Sequence, residues 1–248
     1  MKPRLRVVHL NRIDVLDMLN LDEAVLRASK DNWCLFARNS SAPTVVLGIS
    51  GKPSELLHEE ACNQDGVRLI KRFSGGGTVL VDTNTLFVSF ALNHADVAGV
   101  EPFPRPIMEW SGKIYGRAIS KYLSQQPKQK FQLNEHDYCF GSRKFGGNAQ
   151  SLTKDRWLHH TSLLYSYSEE NLANYLTIPK KQPEYRENRP HSQFLCSISE
   201  SFVETPSPAE IFESLTASMA EDFQIESAHA DEVLEVLSRE YRRSNKVL

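Results

Sequence analysis

The stretch KRFSGGGTVLVD, Lys71–Asp82, joins two strand-like segments through three consecutive glycines. Val67–Ile70 precedes the glycines and Thr78–Val81 follows them, and both are short apolar runs typical of strands. Glycines at such a junction let the backbone turn sharply and approach a ligand closely, and consecutive amides can form an anion-binding nest. Because Lys71 and Arg72 stand beside the loop, it predicts a site for a phosphate or a carboxylate.

Two common nucleotide motifs are absent from this loop. No GK[ST] follows the glycines, so the loop is not a P-loop. The spacing is not GxGxxG, and a strand follows where a dinucleotide-binding motif has a helix. A glycine-rich hairpin with solvated charges remains open as the alternative.

A second segment, GSRKFGGNAQSLTKDRWLHHTSLL, begins at Gly141. Lys144 is followed closely by Gly146 and Gly147, which predicts a glycine-rich loop that folds around a small ligand. On an extended segment Arg143 and Lys144 would face opposite ways, so one of them would face the ligand. A solvated surface lysine is the alternative.

Metal sites find little support. The adjacent His159 and His160 would face opposite sides of a strand, so a shared ion is disfavoured and a structural role is predicted for at least one of them. The cysteines, at positions 34, 62, 139 and 196, form no CxxC pair, which disfavours zinc and fits a reducing compartment.

The rest of the chain alternates strands and helices. Further strands are predicted at 6–10, 33–37, 44–47, 86–92, 138–140 and 157–167. Helices are predicted at 15–29, 106–122, 168–175, 208–219 and 233–241. The segment 179–190 is predicted to be a surface loop. We expect a domain over residues 1–200 and a short helical extension, residues 201–248, packed on it.

Charge and hydropathy limit the classes of function to which this protein can belong. The formal net charge of −2 in 248 residues gives no overall attraction to nucleic acid or to an anionic membrane. No apolar run reaches the roughly 18 residues needed to span a bilayer, and the first residues lack a secretory signal pattern. A cytoplasmic enzyme is expected, with an organellar location as the alternative.

Together these segments resemble the lipoate–protein ligase family of the biotin/lipoate ligase superfamily. The family pattern R-x-S-G-G-G matches Arg72–Gly77, K-x-x-G-N-A matches Lys144–Ala149, and H-H-G-x-L-L matches His159–Leu164 with Thr161 in place of glycine. The resemblance extends from about Leu5 to Cys196. The resemblance implies an α+β fold with a central mixed β-sheet flanked by helices, as in class II aminoacyl-tRNA synthetases.

The resemblance also implies a reaction. Such enzymes use ATP and Mg²⁺ to activate lipoate or octanoate as an acyl-adenylate. They then transfer the acyl group to a lysine of a lipoyl carrier domain, in a 2-oxoacid dehydrogenase acyltransferase subunit or the glycine cleavage H protein. The large accessory domain of longer ligases has no counterpart in these residues, so a separate accessory chain is an expected partner.

Residue roles follow from the same resemblance. Lys144 is the expected catalytic residue, Asp137 is expected to help position Mg²⁺, and His160 is a candidate site histidine. His136 stands where the family has asparagine. The residues expected to bind ATP or lipoyl-AMP are Arg72, Ser74, Gly75, Gly76, Gly77, Thr78, Val79, Leu80, Asp137, Lys144, Gly147, Asn148 and Ala149.

Other functions stay open. An octanoyl- or lipoyltransferase would work without ATP, either through a thioester on Cys196 or from a pre-formed adenylate. The apolar neighbours of Cys196 favour a buried cysteine instead. A non-catalytic binder of lipoylated carriers is a third class, against which the presence of Lys144 argues. A biotin ligase is disfavoured because its loop has an arginine where this chain has Gly76-Gly77.

Overall fold

The computed structural model describes all 248 residues. Twelve strands form two sheets. The strands are β1 (Arg4–Ile13), β2 (Trp33–Asn39), β3 (Thr44–Leu47), β4 (Arg68–Lys71), β5 (Val79–Val81), β6 (Thr85–Asn93), β7 (Phe131–Asn134), β8 (Asp137–Phe140), β9 (Arg143–Leu152), β10 (Arg156–Leu164), β11 (Gln224–Ser227) and β12 (Lys246–Val247).

Nine α-helices flank the sheets. A π-helical turn, Ala118–Tyr122, extends the fourth of them, and 3-10 turns lie at His94–Asp96 and Glu184–Arg186. The helices are α1 (Val15–Ala28), α2 (Pro53–Leu56), α3 (Glu59–Gln64), α4 (Pro104–Arg117), α5 (Glu169–Tyr175), α6 (His191–Phe194), α7 (Ile198–Ser201), α8 (Pro208–Met219) and α9 (Ala230–Leu237).

The main sheet has eight strands in the order β11-β1-β2-β6-β10-β9-β8-β7. Its β1 runs parallel to β11 and β2, and all other pairs are antiparallel. The smaller sheet has the order β12-β4-β3-β5 and contains one parallel pair, β3 with β4. Mixed sheets with flanking helices confirm the predicted α+β class.

Two apolar cores cover the two faces of the main sheet. The larger contains 30 buried residues and lies between the sheet and helices α4 and α8. The second contains 22 buried residues and joins the sheet to α1 and to the smaller sheet. Because the smaller sheet carries the glycine loop between β4 and β5, this second face is the one that positions the candidate site.

Helix ends follow their capping residues. Asp14 accepts a hydrogen bond from Leu16 N at the start of α1, and Ser168 caps α5 in the same way. Ser207 and Glu210 form the predicted capping box of α8, with Pro208 in the first turn. These helices are confirmed. No helix of the chain has the length and apolar character required to cross a membrane.

The predicted glycine-rich loop around Lys144 is wrong: the segment is strand β9. It pairs with β8 from Arg143 to Gly146 and with β10 from Gly146 to Leu152, so the segment belongs to the main sheet. Gly146 suits this position because a Cβ there would come within 2.9 Å of Leu163 and 3.1 Å of Tyr138. Gly146 therefore allows side chains of the two neighbouring strands to pack closely against β9.

The C-terminal residues contain more than helices. Strand β11 extends the main sheet beside β1, and β12 extends the smaller sheet beside β4; both strands were missing from the sequence prediction. Helix α9 ends at Leu237, four residues before the predicted end. Helix α7 crosses residue 200, and residues of α8 belong to the larger core. The boundary at residue 200 stays a prediction.

His159 gives the fold a pH dependence. It is fully buried, with Nε2 2.8 Å from the Tyr138 hydroxyl and Nδ1 3.2 Å from Gln150, and burial with the nearby His160 lowers its pKa to about 3. Between pH 3 and pH 6.5 the unfolded chain binds a proton that the folded chain excludes. We therefore expect the unfolding free energy to fall as the pH drops below about 6.5, by at most about 1.4 kcal/mol per pH unit from this group.

Urea denaturation at several pH values measures this slope, with His159→Gln as the comparison. Equal slopes in both proteins between pH 4 and pH 6 would show that His159 does not cause the effect.

Candidate active site

The glycine loop lies against the end of β3, at Gly48, and against Asn148 and Ala149 within β9. Gly76 has a φ of 92°, and a Cβ there would come within 2.8 Å of Arg72 Nη2 and 3.4 Å of Ala149 Cβ. Gly48 passes under the loop so closely that a Cβ would lie 2.2 Å from the Gly76 carbonyl oxygen. Two of the three sequence motifs, R-x-S-G-G-G and K-x-x-G-N-A, therefore meet here in space.

Arg72 organises the loop from below. Its guanidinium donates to the carbonyl oxygens of Gly75 (2.6 Å from Nη2), Gly77 (2.8 Å) and Val46 (3.4 Å). The residue is 4% exposed, and burial lowers its pKa to about 10, so it stays charged at neutral pH. These donors bond the carbonyl oxygens of the loop and of Val46, and a contact between Arg72 and a nucleotide stays a prediction.

The third motif joins the loop through a chain of buried polar groups. Ser74 Oγ lies 2.8 Å from His160 Nε2, and His160 Nδ1 lies 2.8 Å from Asp22 Oδ2 on helix α1. Arg72 Nε donates to Ser74 Oγ at 3.1 Å. His159 and His160 face opposite sides of β10, as predicted for adjacent strand residues. These hydrogen bonds link the glycine loop to both the main sheet and α1.

A cavity of about 50 Å³ opens beneath the loop, between α1 and the two sheets. Its walls are mostly apolar, with a few polar groups from the main sheet. Its lining includes Val15, Met18, Leu19, Asp22, Val46, Arg72, Val79, Val81, Phe87, Ser89, Gly147, Asn148, Ala149, His160, Thr161 and Ser162. An elongated apolar group with one polar end suits such walls.

Lys144 stands beside this cavity. Its Nζ would be 3.3 Å from a Cβ placed on Gly147, and Gly147 lines the cavity. The ammonium lies 2.7 Å from Asp137 Oδ1, and the Tyr185 hydroxyl donates to Asp137 Oδ2 at 2.8 Å. Burial and the Asp137 charge raise the pKa of Tyr185, so this hydroxyl keeps its proton. Arg143 faces away and pairs with Glu200.

The side chains of the remaining predicted site residues point in different directions, some toward the cavity and some away from it. Val79 lines the cavity, whereas Leu80 packs against a third apolar cluster on the other side of β5. Gly77 is exposed, and the buried Thr78 hydroxyl has no partner. Asn148 donates to the His136 carbonyl. Within the loop, Gly76 and Gly77 are the residues most open to solvent.

The donor set does not form a resident magnesium site. Asp137 is the single carboxylate beside Lys144, its two oxygens are engaged by Lys144 and Tyr185, and no group of three or more metal-binding side chains occurs in the chain. Mg²⁺ commonly binds through one or two carboxylates together with substrate phosphates. A magnesium ion positioned by Asp137 therefore stays a prediction that depends on a bound nucleotide.

Cys196 is poorly placed as a nucleophile. It is 2% exposed within the larger core, and its thiol donates to the Arg143 carbonyl at 3.3 Å. Burial raises the pKa of the thiol, so the reactive thiolate is disfavoured. Only its backbone meets the site, where Cys196 N donates to the Lys144 carbonyl at 2.8 Å.

Three residues of the site were not predicted from the sequence. Asp22 lies in the segment LDEA, Leu21–Ala24, a short stretch that also resembles the lipoate–protein ligase pattern and was the one signal available for it. Tyr185 lies in a polar segment predicted only as a surface loop. Ser89 lies in the apolar strand β6, where a single serine has no distinguishing pattern.

Comparison with known proteins identifies the family of the chain. The family model of the lipoyl protein ligase A/B catalytic domain matches residues 14–220. The chain is 33% identical over 215 residues to a Plasmodium falciparum protein named inactive lipoate–protein ligase 2, covering 76% of this chain and 55% of that protein. It is 29% identical over 140 residues to a probable lipoate-protein ligase A of Mycoplasma genitalium, covering 56% of this chain and 39% of that protein.

The chain thus spans about half or less of the length of these relatives. Among solved structures, lipoate-protein ligase A bound with ATP superposes with a TM-score of 0.72 at 17% identity, covering 96% of this chain and 93% of that one. A bipartite lipoate protein ligase from Thermoplasma acidophilum, described with its E2 lipoyl domain, gives 0.72 at 16% identity and covers 96% and 91%. The chain belongs to the lipoyl protein ligase A/B catalytic-domain family.

Proposed function

We propose that this chain is a lipoate–protein ligase, which activates lipoate or octanoate with ATP and transfers the acyl group to a lysine of a lipoyl carrier domain. One observation carries the proposal: the Lys144 ammonium lies beside an apolar cavity that is also lined by Arg72, which holds the exposed glycine loop. A medium-chain acid has an apolar body and one carboxylate, which suits the cavity and the ammonium respectively.

The chemistry requires two anions to meet. In the first step a carboxylate oxygen bonds to the α-phosphorus of ATP and pyrophosphate leaves, with Mg²⁺ entering as part of the nucleotide substrate. In this proposal Lys144 exchanges Asp137 for the incoming anions, and its positive charge offsets their repulsion as the transition state forms. Loop amides from Gly75 to Thr78 would hold the phosphates.

In the second step the carrier lysine amine attacks the acyl carbonyl, and AMP leaves. The amine must lose a proton, and the proposed site must keep water away from the mixed anhydride. The burial of Lys144 and Asp137 beneath Tyr185 supports this, since their side chains are 23% and 12% exposed.

The comparisons support the partners. Solved relatives include one bound with ATP, one with bound lipoic acid and one described with an E2 lipoyl domain. We propose a lipoyl domain of a 2-oxoacid dehydrogenase or the glycine cleavage H protein as carrier, with a separate accessory chain as a further partner. A reducing compartment, cytoplasmic or organellar, suits the four free cysteines.

A second candidate is transfer from a pre-formed adenylate without ATP hydrolysis. The relative at 33% identity is named inactive, which favours a chain of this family that lacks a complete reaction. Pyrophosphate release separates the two candidates. Release that depends on ATP and lipoate supports the ligase; no release, combined with acyl transfer from supplied lipoyl-AMP, supports the second candidate.

Cys196 provides a further prediction. We expect Cys196→Ser to keep acyl transfer within about twofold of wild type, because the thiol is buried on the core side of β9 and the hydroxyl can keep the bond to Arg143. A small stability loss of about 1 kcal/mol is expected from a polar hydroxyl in this apolar setting. Transfer is measured with ATP and lipoate, and in parallel with an octanoyl thioester donor and no ATP.

The assay with the octanoyl thioester donor and no ATP is the one that could contradict this prediction. Thioester-dependent transfer by wild type that disappears in Cys196→Ser would make this cysteine the nucleophile of an octanoyltransferase.

A further inference from the structure

Two buried oxygen atoms on residues that line the cavity have no hydrogen-bond partner. They are Oδ1 of Asp22 and Oγ of Ser89, and each residue is 1% exposed. A buried polar atom without a partner loses its water without compensation, and the loss is larger for a carboxylate than for a hydroxyl. Thirteen such side-chain atoms occur in the chain, and these two are the ones whose residues line this cavity, so the pair is a candidate contact for a ligand.

The hydrogen bonds of the site leave the second carboxylate oxygen of Asp22 without a partner. Its Oδ2 is held by His160 Nδ1 at 2.8 Å, and His160 Nε2 is in turn held by Ser74 Oγ at 2.8 Å. The carboxylate therefore keeps one orientation, with its second oxygen left over. Because the imidazole is itself anchored to the glycine loop, Asp22 cannot turn away without losing its hydrogen bond to His160.

Strand register separates this polar pair from Lys144 along the length of β10. Ser89 lies opposite His160 across β6 and β10, whereas Gly147, the neighbour of Lys144 Nζ, lies opposite Ser162. His160 and Ser162 are one side-chain repeat apart on the same strand, a step of roughly 7 Å. An acid whose carboxylate lies at Lys144 would thus bring a more distal part of its chain to Asp22 and Ser89.

We propose that Asp22 and Ser89 make the cavity selective for an acyl chain that carries a hydrogen-bond donor in its distal half. The inference rests on the proposed function and names its substrate class: the dithiol form of lipoate, or a hydroxylated chain, in preference to plain octanoate. Asp22 Oδ1 accepts the bond from S–H or O–H, and the Ser89 hydroxyl can bond the same group or its neighbour.

The chemistry ranks the candidate acids. Octanoate offers no polar group and leaves both oxygens buried without partners. Oxidised lipoate offers sulfur acceptors, which the Ser89 hydroxyl can use but Asp22 cannot. Reduced lipoate and omega-hydroxyoctanoate offer donors to Asp22, so they should bind most tightly.

Calorimetric binding of the four free acids to the full chain, under a non-thiol reductant for the reduced form, tests the ranking without requiring catalysis. We expect the two donor-bearing acids to bind about tenfold tighter than octanoate, as one hydrogen bond to a charged group predicts. Equal affinities in wild type would overturn this inference and leave the proposed function standing. Absence of binding by every acid would overturn both.

Substitutions at Asp22 and Ser89 test whether these two residues cause the selectivity among the acids. Asp22→Asn keeps an oxygen for His160 but presents an amide donor to the cavity, so the advantage of donor-bearing acids over octanoate should fall to about onefold. Ser89→Ala should reduce the affinity for oxidised lipoate relative to octanoate. Ser218→Ala is the matched control, because this buried hydroxyl bonds Ile114 in the larger core and lies outside the cavity lining. A selectivity unchanged in both cavity variants would overturn the inference.

Discussion

Replacing Lys144 with alanine should reduce acyl-adenylate formation and acyl transfer by at least about a hundredfold, the effect typical of removing one group that stabilises transition-state charge. The reason is its placement: Nζ lies beside the cavity wall at Gly147 and is held by Asp137 at 2.7 Å. No other lysine or arginine pairs with Asp137. Adenylate formation is measured with ATP and lipoate, and transfer is measured separately with supplied lipoyl-AMP.

Controls separate catalysis from folding. Lys154→Ala changes an exposed lysine in the turn after β9, so it should leave both reactions unchanged. Lys144→Arg keeps the charge but not the compact ammonium, and should recover little activity. The Asp137 carboxylate keeps its hydrogen bond from the Tyr185 hydroxyl, so Lys144→Ala should still fold, as circular dichroism would show. A folded Lys144→Ala protein with full turnover would remove this lysine from the mechanism.

Arg72→Lys should have the second-largest effect, on both nucleotide use and stability. An ammonium cannot reach the three carbonyl oxygens of Val46, Gly75 and Gly77 that the guanidinium binds together. Carbonyls left without donors in this buried setting should cost about 3 kcal/mol, or roughly 6–12 °C in melting temperature. ATP affinity should fall as well, because the loop amides lose their support.

The paired readout identifies how Arg72 acts. If it supports the loop, melting temperature without any ligand falls together with ATP affinity measured by calorimetry. A direct contact with phosphate would lower ATP affinity and leave the ligand-free melting temperature at the wild-type value. Arg105→Lys, on an exposed arginine of α4, serves as the control.

Residue types and order were sufficient to predict the fold class and the motifs. Short apolar runs bounded by turn residues marked most strands, and capping residues marked α5 and α8, since both signals are local. Strands β11 and β12 escaped prediction because they are short and owe their conformation to partners far along the chain, β1 and β4. The strand conformation of β9 was masked by glycines, whose role there depends on Tyr138 and Leu163.

The residues that belong to the site could be predicted better than the way in which they are arranged. The motifs identified Lys144, Arg72 and His160, but a sequence does not show where a long side chain points, and Arg72 turned out to bind its own loop. Tyr185 had no local signal, because its contact with Asp137 joins residues 48 positions apart. The pairing of His160 with Asp22 spans 138 positions and appears only once α1 is packed on the sheet.

The most direct test of the proposed function is the intact mass of a purified lipoyl domain after incubation with this chain, lipoate, ATP and Mg²⁺. We expect a mass increase of one lipoyl group on the carrier lysine that requires ATP, fails with Lys144→Ala and persists with Cys196→Ser. An unmodified domain under these conditions, and also with supplied lipoyl-AMP, would contradict the assignment of this site to lipoyl transfer.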